Sequence, residues 1–274
     1  MTEANQAVRP HAIERVRHEL KLRVLTVVRT ELLTPHLRRI TLGGADLEGF
    51  VSPSHDDHVK LFFPAPGQID PVFPVLGQGA NPIEYAPGAR PIARNYTPRR
   101  YDAERGELEI DFVLHGDGPA SSWAAQAAPG QTLGVGGPRG SMVVPLDFDW
   151  YLLVGDQTAL PAIARRLEQL PATARAMVVI ETLESGEEIA LDSAAQLDVR
   201  WVARDGREGA LLLDALRQLS LPSDGDGYAW VATEHAQVQD LRRHLLDAGV
   251  PKQHLHVASY WKHGAAEHHQ THDE

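Results

Sequence analysis

Hydrophobic and polar positions change rhythm near the middle of this 274-residue chain. Through the first half, short apolar stretches alternate with polar residues and are cut by Gly and Pro. They are KLRVLTVVRTELL (21–33), LRRITLGG (37–44), HVKLFFP (58–64), ELEIDFVLH (107–115) and TLGVGGP (132–138). β-Branched and alternating residues between turn formers predict strands, and several short strands at this spacing predict an antiparallel barrel. The stretch from Gln68 to Ala89 is rich in Pro and Gly and reads as a long loop over the barrel.

The elements lengthen from Trp150 onward. WYLLVGD (150–156) is a buried type of strand, and Gln157 to Ile163 opens a helix running to about Gln169, capped by Asp156 or Thr158. ARAMVVIET (174–182) and LDVRWVAR (197–204) follow as strands, and ALLLDALRQL (210–219) as a helix. YAWVATEH (228–235), VQDLRRHLLDAG (238–249) and HLHVASYW (254–261) read as strand, helix and strand. Strands alternating with helices predict βαβ units on a parallel sheet. The predicted class is therefore all-β followed by α/β: an antiparallel barrel over 18–147 and a parallel-sheet domain over 148–264. Residues 1–17 and 265–274 are expected to be flexible ends.

Composition narrows the chemistry. Hydrophobic residues at 43% and charged residues at 23% suit a globular protein. No stretch approaches the roughly 20 apolar residues of a membrane span, and the polar start MTEANQAVRPHAIER shows no secretory h-region, so a cytoplasmic protein is expected. The chain has no cysteine, which excludes disulfides, thiolate nucleophiles and cysteine-ligated iron–sulfur clusters. Redox chemistry would run through an organic cofactor, or through a metal on His and carboxylates. A net charge of -11 argues against nucleic acid but leaves room for a small basic pocket that focuses an anion. Six of the 14 histidines (His254, His256, His263, His268, His269 and His272) crowd the last 21 residues. They read as a mobile tail, and no metal site is assigned.

Four segments carry candidate chemistry. In Arg94-Asn95-Tyr96-Thr97 the Arg fork suits a pyrophosphate, and Tyr96, two residues on, shares its side of the strand and can pack on a planar cofactor. Thr97 can hydrogen-bond a flavin edge. The same four residues also fit an ordinary barrel strand with a surface Arg. In HGDGPASSWA (115–124), Gly116 and Gly118 allow a tight turn and Pro119 suits a first helical position. The helix N-terminus that follows can receive a phosphate, or can be a plain connecting helix. GGPRGSM (136–142) sets Arg139 beside glycines that permit close backbone approach. GDQTALPAI (155–163) lies at the carboxyl edge of the predicted sheet, where open α/β sheets bind ligands, and no GxGxxG is present.

Taken in order, DDHVKLFFP (56–64), RNYT (94–97), DFVLHGDGPASSWA (111–124), GPRGS (137–141), GDQTALPAI, WVARDG (201–206) and SYWKHG (259–264) resemble the siderophore-interacting proteins. These are a branch of the ferredoxin–NADP reductase superfamily. The match runs from about Leu22 to Gly264. It implies an FAD-binding barrel, an NAD(P)H-binding α/β domain, and reduction of ferric siderophores, with electrons passing from NADPH or NADH through FAD to Fe(III). A reduced electron-carrier protein is an alternative donor. A general NAD(P)H:flavin or acceptor oxidoreductase and a non-catalytic siderophore-binding protein are the alternative functions. By position, Arg94, Tyr96, Thr97, His115, Ala120, Ser121, Ser122, Asp156 and Thr158 fall in the cofactor set, with Trp261 as a stacking ring. Lys60, Arg139 and Lys262 match the basic lining of the siderophore pocket. Arg204, followed by Arg207, and Glu234 fall on the nicotinamide side, where the arginines can meet a 2′-phosphate. Two positions depart from the family pattern: Ser259 and Thr233 stand where Gly is usual.

Overall fold

The computed structural model describes residues 11–65, 67–68, 70–76, 83–84, 92–116, 118–207, 209–264 and 270–271. The first half forms β1 (Glu14–Arg17), β2 (Leu22–Thr34), β3 (Leu37–Gly43), β4 (Val59–Phe63), β5 (Val75–Leu76) and β6 (Ile83–Glu84). It continues with β7 (Ile92–Tyr96), β8 (Pro98–Asp102), β9 (Glu107–Val113), helix α1 (Pro119–Gln126), β10 (Thr132–Gly136) and β11 (Gly140–Val143). Seven strands make one antiparallel sheet in the order β7-β4-β10-β2-β3-β9-β8. Its two edge strands, β7 and β8, are consecutive in the chain and separated only by Thr97. The sheet therefore curls until both edges reach one residue, a barrel split beside the RNYT segment. Period-two alternation buries Leu25 and Val27 inside while Val24 and Val28 stay exposed. α1 closes the barrel with Ala120 and Ala124.

Two expectations need correcting here. Residues 11–17 are not a loose end: β1 pairs antiparallel with β11, and the His11 ring stacks on Phe148 at 4.0 Å between centroids. A polar segment has no apolar period to reveal a strand whose ladder partner lies over a hundred residues away. The Gln68–Ala89 segment also carries the short ribbon β5–β6, and most of its remainder lies outside the described residues.

The second half forms β12 (Trp150–Asp156), α2 (Leu160–Gln169), β13 (Arg175–Thr182), β14 (Gln196–Ala203) and α3 (Leu211–Arg217). β15 (Gly227–Glu234), α4 (His235–Asp247), β16 (Leu255–Trp261) and β17 (Gln270–Thr271) complete it. The sheet order is β14-β13-β12-β15-β16-β17, with the first five strands parallel and β17 antiparallel. Gln270 and Thr271 are thus strand rather than flexible tail; His268, His269 and His272 lie outside the described residues. β12 is buried along its whole length, as a central parallel strand covered on both faces should be. Connections leave β12 toward β13 on one side and return through β15 on the other, so the crevice for ligands opens between the carboxyl ends of β12 and β15.

α2 fastens the two sheets together. Arg165 donates to the Pro98 and Ser52 carbonyls at 2.9 and 2.7 Å, and Arg99 of β8 pairs with Glu168. Leu37 of the barrel packs in the same core as Tyr151 and Ile163.

Candidate active site

β7 holds Arg94 opposite Leu61 and Tyr96 opposite Val59, while Asn95 faces Lys60. Arg94 and Tyr96 therefore share one face of the strand, and Asn95 and Lys60 the other. Arg94 bonds only to the Ala93 carbonyl at 2.7 Å, and among the described residues no carboxylate pairs with it. The half-buried Tyr96 ring packs on Phe112 at 4.5 Å, and Trp123 of α1 packs on the same Phe112 at 5.8 Å. One aromatic cluster thus fixes both the RNYT strand and α1. Pro119 sits in the first turn of α1, as expected, behind Gly118 as N-cap. The Ser121 hydroxyl accepts from the His115 amide at 2.9 Å and braces the turn, leaving the His115 ring exposed. Ser122 donates its amide to the Gly118 carbonyl, whereas Ala120 and Ser121 lie where a helix supplies no carbonyl partner.

At the carboxyl edge of the parallel sheet, Asp156 gathers four donors. Its Oδ1 accepts the Thr158 amide at 2.8 Å and the Thr158 hydroxyl at 2.5 Å. Its Oδ2 accepts the Thr233 hydroxyl at 2.9 Å and the Trp261 indole N–H at 2.8 Å. Asp156 and Thr158 do not cap α2, which begins at Leu160 with Ala159 as N-cap; they lock the turn before it. That turn crosses so close to the sheet that a β-carbon on Gly155 would stand 2.3 Å from the Ala159 Cβ. Asp156 also fixes the plane of Trp261, whose ring remains 37% exposed at the sheet edge.

A second carboxylate, Asp56, joins the sheets and was not singled out in the sequence. It accepts Trp230 Nε1 at 3.1 Å and His256 Nε2 at 3.2 Å, and the Tyr260 hydroxyl donates to it as well. Thr97, buried between β7 and β8, also acts on the Tyr260 hydroxyl, tending to lower it. Burial alone would raise the Asp56 carboxyl, but the His256 and Tyr260 donors outweigh it and hold the group well below the usual carboxylate range. Loss of hydration and the facing Asp56 push the Tyr260 phenol far up. His256 belongs to this buried interface and not to a mobile tail, as had been expected. The loop leading into β4, the strand that pairs with RNYT, is thereby joined by side-chain bonds to β15 and β16.

Two domain models match the chain in succession. A siderophore-interacting FAD-binding domain covers residues 26–142, and a siderophore-interacting protein domain covers residues 148–264. The chain belongs to the siderophore-interacting protein family. The NADPH-dependent ferric-chelate reductase of Escherichia coli is 40% identical over 256 residues, covering 92% of this chain and 97% of that one. The ferric vibriobactin reductase ViuB of Vibrio cholerae is 32% identical over 249 residues, 89% of this chain and 91% of its own. A siderophore utilization protein from T. fusca superposes with a TM-score of 0.85 at 39% identity, covering 93% and 97% of the two chains.

Within this siderophore-interacting protein, the basic residues fall into two sets. Lys60 and the exposed Arg139 both act on His58, whose imidazole is lowered first by crowding and loss of hydration, then by these two cations, against Asp56 and Asp57. Lys262 is exposed at the end of β16, next to Trp261. On the nicotinamide side the expected contacts are otherwise engaged. Arg204 pairs with the buried Glu181 at 2.7 Å and ties down its own turn through the Arg207 carbonyl at 2.8 Å. Glu234 caps α4 by accepting the Ala236 amide at 2.6 Å and holds the His263 amide at 3.2 Å. The two family departures meet: Thr233 and Ser259 are register partners across β15 and β16, both fully buried. The Thr233 hydroxyl is spent on Asp156. Among the described residues no cluster of three His, Asp or Glu side chains is arranged to hold a metal.

Proposed function

We propose that this chain is an FAD-dependent ferric-siderophore reductase, drawing electrons from NADPH, with NADH as second choice, and delivering them to Fe(III) of an anionic siderophore so that Fe(II) is released. The observation that carries the reading is Asp56, in the loop leading into the strand paired with RNYT, which takes the Trp230 and Tyr260 donors of the parallel sheet. It ties the barrel beside RNYT to the sheet that would present the electron donor. The cytoplasm, where NADPH is supplied, is the proposed place of action, and no described helix is long and apolar enough to cross a membrane. The barrel would span residues 18–147 and the nucleotide domain 148–264.

The residues present fit FAD. Among the described residues Arg94 has no carboxylate partner and the buried Asn95 Oδ1 no hydrogen-bond partner. Arg94, with the Ala120 and Ser121 amides at the N-terminus of α1, would hold the phosphates, and Tyr96 would pack on the ring. His115 and Ser122 line the same turn. FAD, when bound, accepts two electrons together as hydride and releases them singly, which matches a nicotinamide donor to one-electron Fe(III). Trp261, fixed by Asp156, offers a flat indole face on the sheet side, beside the Thr158 turn. Lys60, Arg139 and Lys262 would draw in the anionic complex. Reduction to Fe(II) weakens hard oxygen ligation, so the protein itself need not bind iron. Because Arg204 is paired with Glu181, a reduced carrier protein stands as a second donor reading.

The test is anaerobic. Photoreduced holoprotein is mixed with ferric siderophores and simple ferric salts in the presence of a ferrous trap. Faster reoxidation by ferric siderophores is expected; equal rates would make the protein a general flavin reductase, and failure to take up FAD would sink the reading. Charge reversal at Lys60 and Lys262 should raise the apparent KM for anionic complexes.

A further inference from the structure

The turn between β2 and β3 grips α1 and also reaches the parallel sheet. The His36 carbonyl accepts the Leu114 amide at 2.8 Å, just before the His115 turn. Arg38 donates to the Ala124 and Ala125 carbonyls at 3.0 and 2.6 Å. One turn thus holds both the chain entering α1 and the end of that helix. The His36 side chain is bonded elsewhere: its Nδ1 lies 2.5 Å from Oε1 of Glu187, in the loop after β13. Glu187 is 2% exposed, and its Oε2 accepts the Gln157 side-chain amide at 3.1 Å and the Glu184 backbone amide at 3.0 Å.

The donor directions along these bonds are fixed. A backbone N–H can only donate, so the Leu183 amide, 3.2 Å from Gln157 Oε1, sets the orientation of the Gln157 carboxamide and leaves its NH2 group for Glu187. A carboxylate only accepts, so Nδ1 of His36 carries a hydrogen. Gln157 is itself buried, and it stands between Asp156, which clamps the strand ends, and Thr158 of the ligand-edge turn. His36 therefore belongs to two turns at once. Its backbone serves the turn proposed to hold the phosphates, and its side chain serves the turn at the carboxyl edge of β12.

We infer that His36 and Glu187 are positioning residues for the reductive half-reaction, holding the ligand-edge turn of the parallel sheet in register with the flavin-binding side of the barrel. This rests on the proposed flavin and nicotinamide sites. In that half-reaction a hydride, one proton with two electrons, leaves the dihydronicotinamide, which is oxidised, and reduces the flavin. Its rate depends on how the two domains place two rings, whereas passage of single electrons to Fe(III) needs no nucleotide. Removing the His36 imidazole keeps the backbone carbonyl on Leu114, so the turn before α1 and the affinity for FAD should persist. Arg165 and Asp56 still fasten the two sheets, so the loss falls on the Gln157 turn alone.

Anaerobic stopped-flow on the holoprotein measures flavin bleaching by NADPH and, separately, reoxidation of the photoreduced protein by ferric citrate. The proteins compared are wild type, His36→Leu and His36→Asn; the Asn carboxamide sets an N–H close to where the imidazole Nδ1 stood. His36→Leu should slow bleaching about tenfold through misplacement of the rings, with reoxidation and the FAD dissociation constant unchanged. His36→Asn should restore most of the rate. Hydrogen exchange in the flavin-free protein is the second readout. The Leu183 and Glu184 amides, which donate to Gln157 and Glu187, should exchange faster in His36→Leu and not in His36→Asn. Unchanged bleaching in His36→Leu overturns the inference, as does an equal loss in both half-reactions, or a His36→Asn rate no faster than that of His36→Leu. If His36→Leu does not fold, Glu187→Gln replaces it. Three donors converge on Glu187, so an amide there must turn its own N–H toward one of them. The same selective loss then supports the inference, and equal loss in both steps refutes it. Wild type that takes up no FAD fails the flavin reading separately, and unchanged exchange in His36→Leu would still refute the coupling between the two turns.

Discussion

At the scale of single residues, the division of labour follows from which charges are already satisfied. Asp156 takes four donors and Glu234 two, so both carboxylates hold the protein's own groups in place. Arg94 is the contrasting case, a cation beside the split of the barrel without a carboxylate partner among the described residues. A charge-assisted bond from such a group contributes about 1.5–3 kcal/mol. Arg94→Ala should therefore weaken FAD binding by roughly ten- to a hundredfold, read by flavin fluorescence as apoprotein is titrated. Unchanged affinity would remove Arg94 from the cofactor set. His11 supplies a pH prediction. Burial tends to lower its imidazole, but hydrogen bonds and charge from Asp147 and Asp226 prevail and raise it above its ordinary value of 6.5. A raised folded-state value means stability fully present below the unfolded value and lost as pH climbs through the folded one. His11→Ala should cost more stability in urea at pH 6 than at pH 8.5.

At the scale of elements, the turn after β12 matters most. Gly155 admits the close crossing, Asp156 ties Thr158 back, and the same carboxylate reaches Thr233 on β15 and Trp261 on β16. One side chain thereby clamps three strand ends of the ligand edge. Asp156→Ala leaves the fully buried Thr233 hydroxyl and the Thr158 turn without an acceptor, a loss of about 2–3 kcal/mol on urea unfolding. It should also change the emission of Trp261, seen by subtracting a Trp261→Phe control. Stability and emission both unchanged would show that the clamp carries no weight. The elements themselves were legible where the pattern was strong: β4, β9 and β12 lie within the apolar runs quoted above, and β2 passes the end of its run only by Thr34. β1, β8 and β11 were not predicted, because their residues are polar or Gly-rich; β1 and β11 pair with each other across more than a hundred residues, and β8 with the following strand β9.

At the scale of the whole molecule, Asp56 is the group to perturb. Its side chain is 11% exposed, and it holds donors from β15 and β16 against the barrel. Removing one partner from a buried charged network costs about 3–5 kcal/mol, so Asp56→Ala should lower the unfolding midpoint substantially. The folded carboxyl lies below its unfolded counterpart, so its contribution is present above the unfolded value of about 3.9 and lost as pH falls toward the folded one. The wild type should lose stability faster than Asp56→Asn as pH drops from about 4 to 2. Parallel pH profiles would show that Asp56 is not the group being titrated.

The order of short alternating runs, then βαβ units, determined the class of fold from the sequence alone, because burial on one face or on both writes a period into the chain. The segments RNYT, GDQTALPAI and SYWKHG were enough to place the chain in its family and to nominate Arg94, Tyr96, Thr97 and Trp261. What only the tertiary structure decided is which polar groups meet. Asp56 and Tyr260 are 204 residues apart, and Asp156 and Trp261 are 105 apart. No local pattern marks such pairs, because a hydrogen bond across two sheets depends on strand order and register, which are set by packing and not by the identity of neighbouring residues. The same holds for Arg204 and Glu234: their types suit a nucleotide, but the fold had already brought Glu181 and the start of α4 within reach.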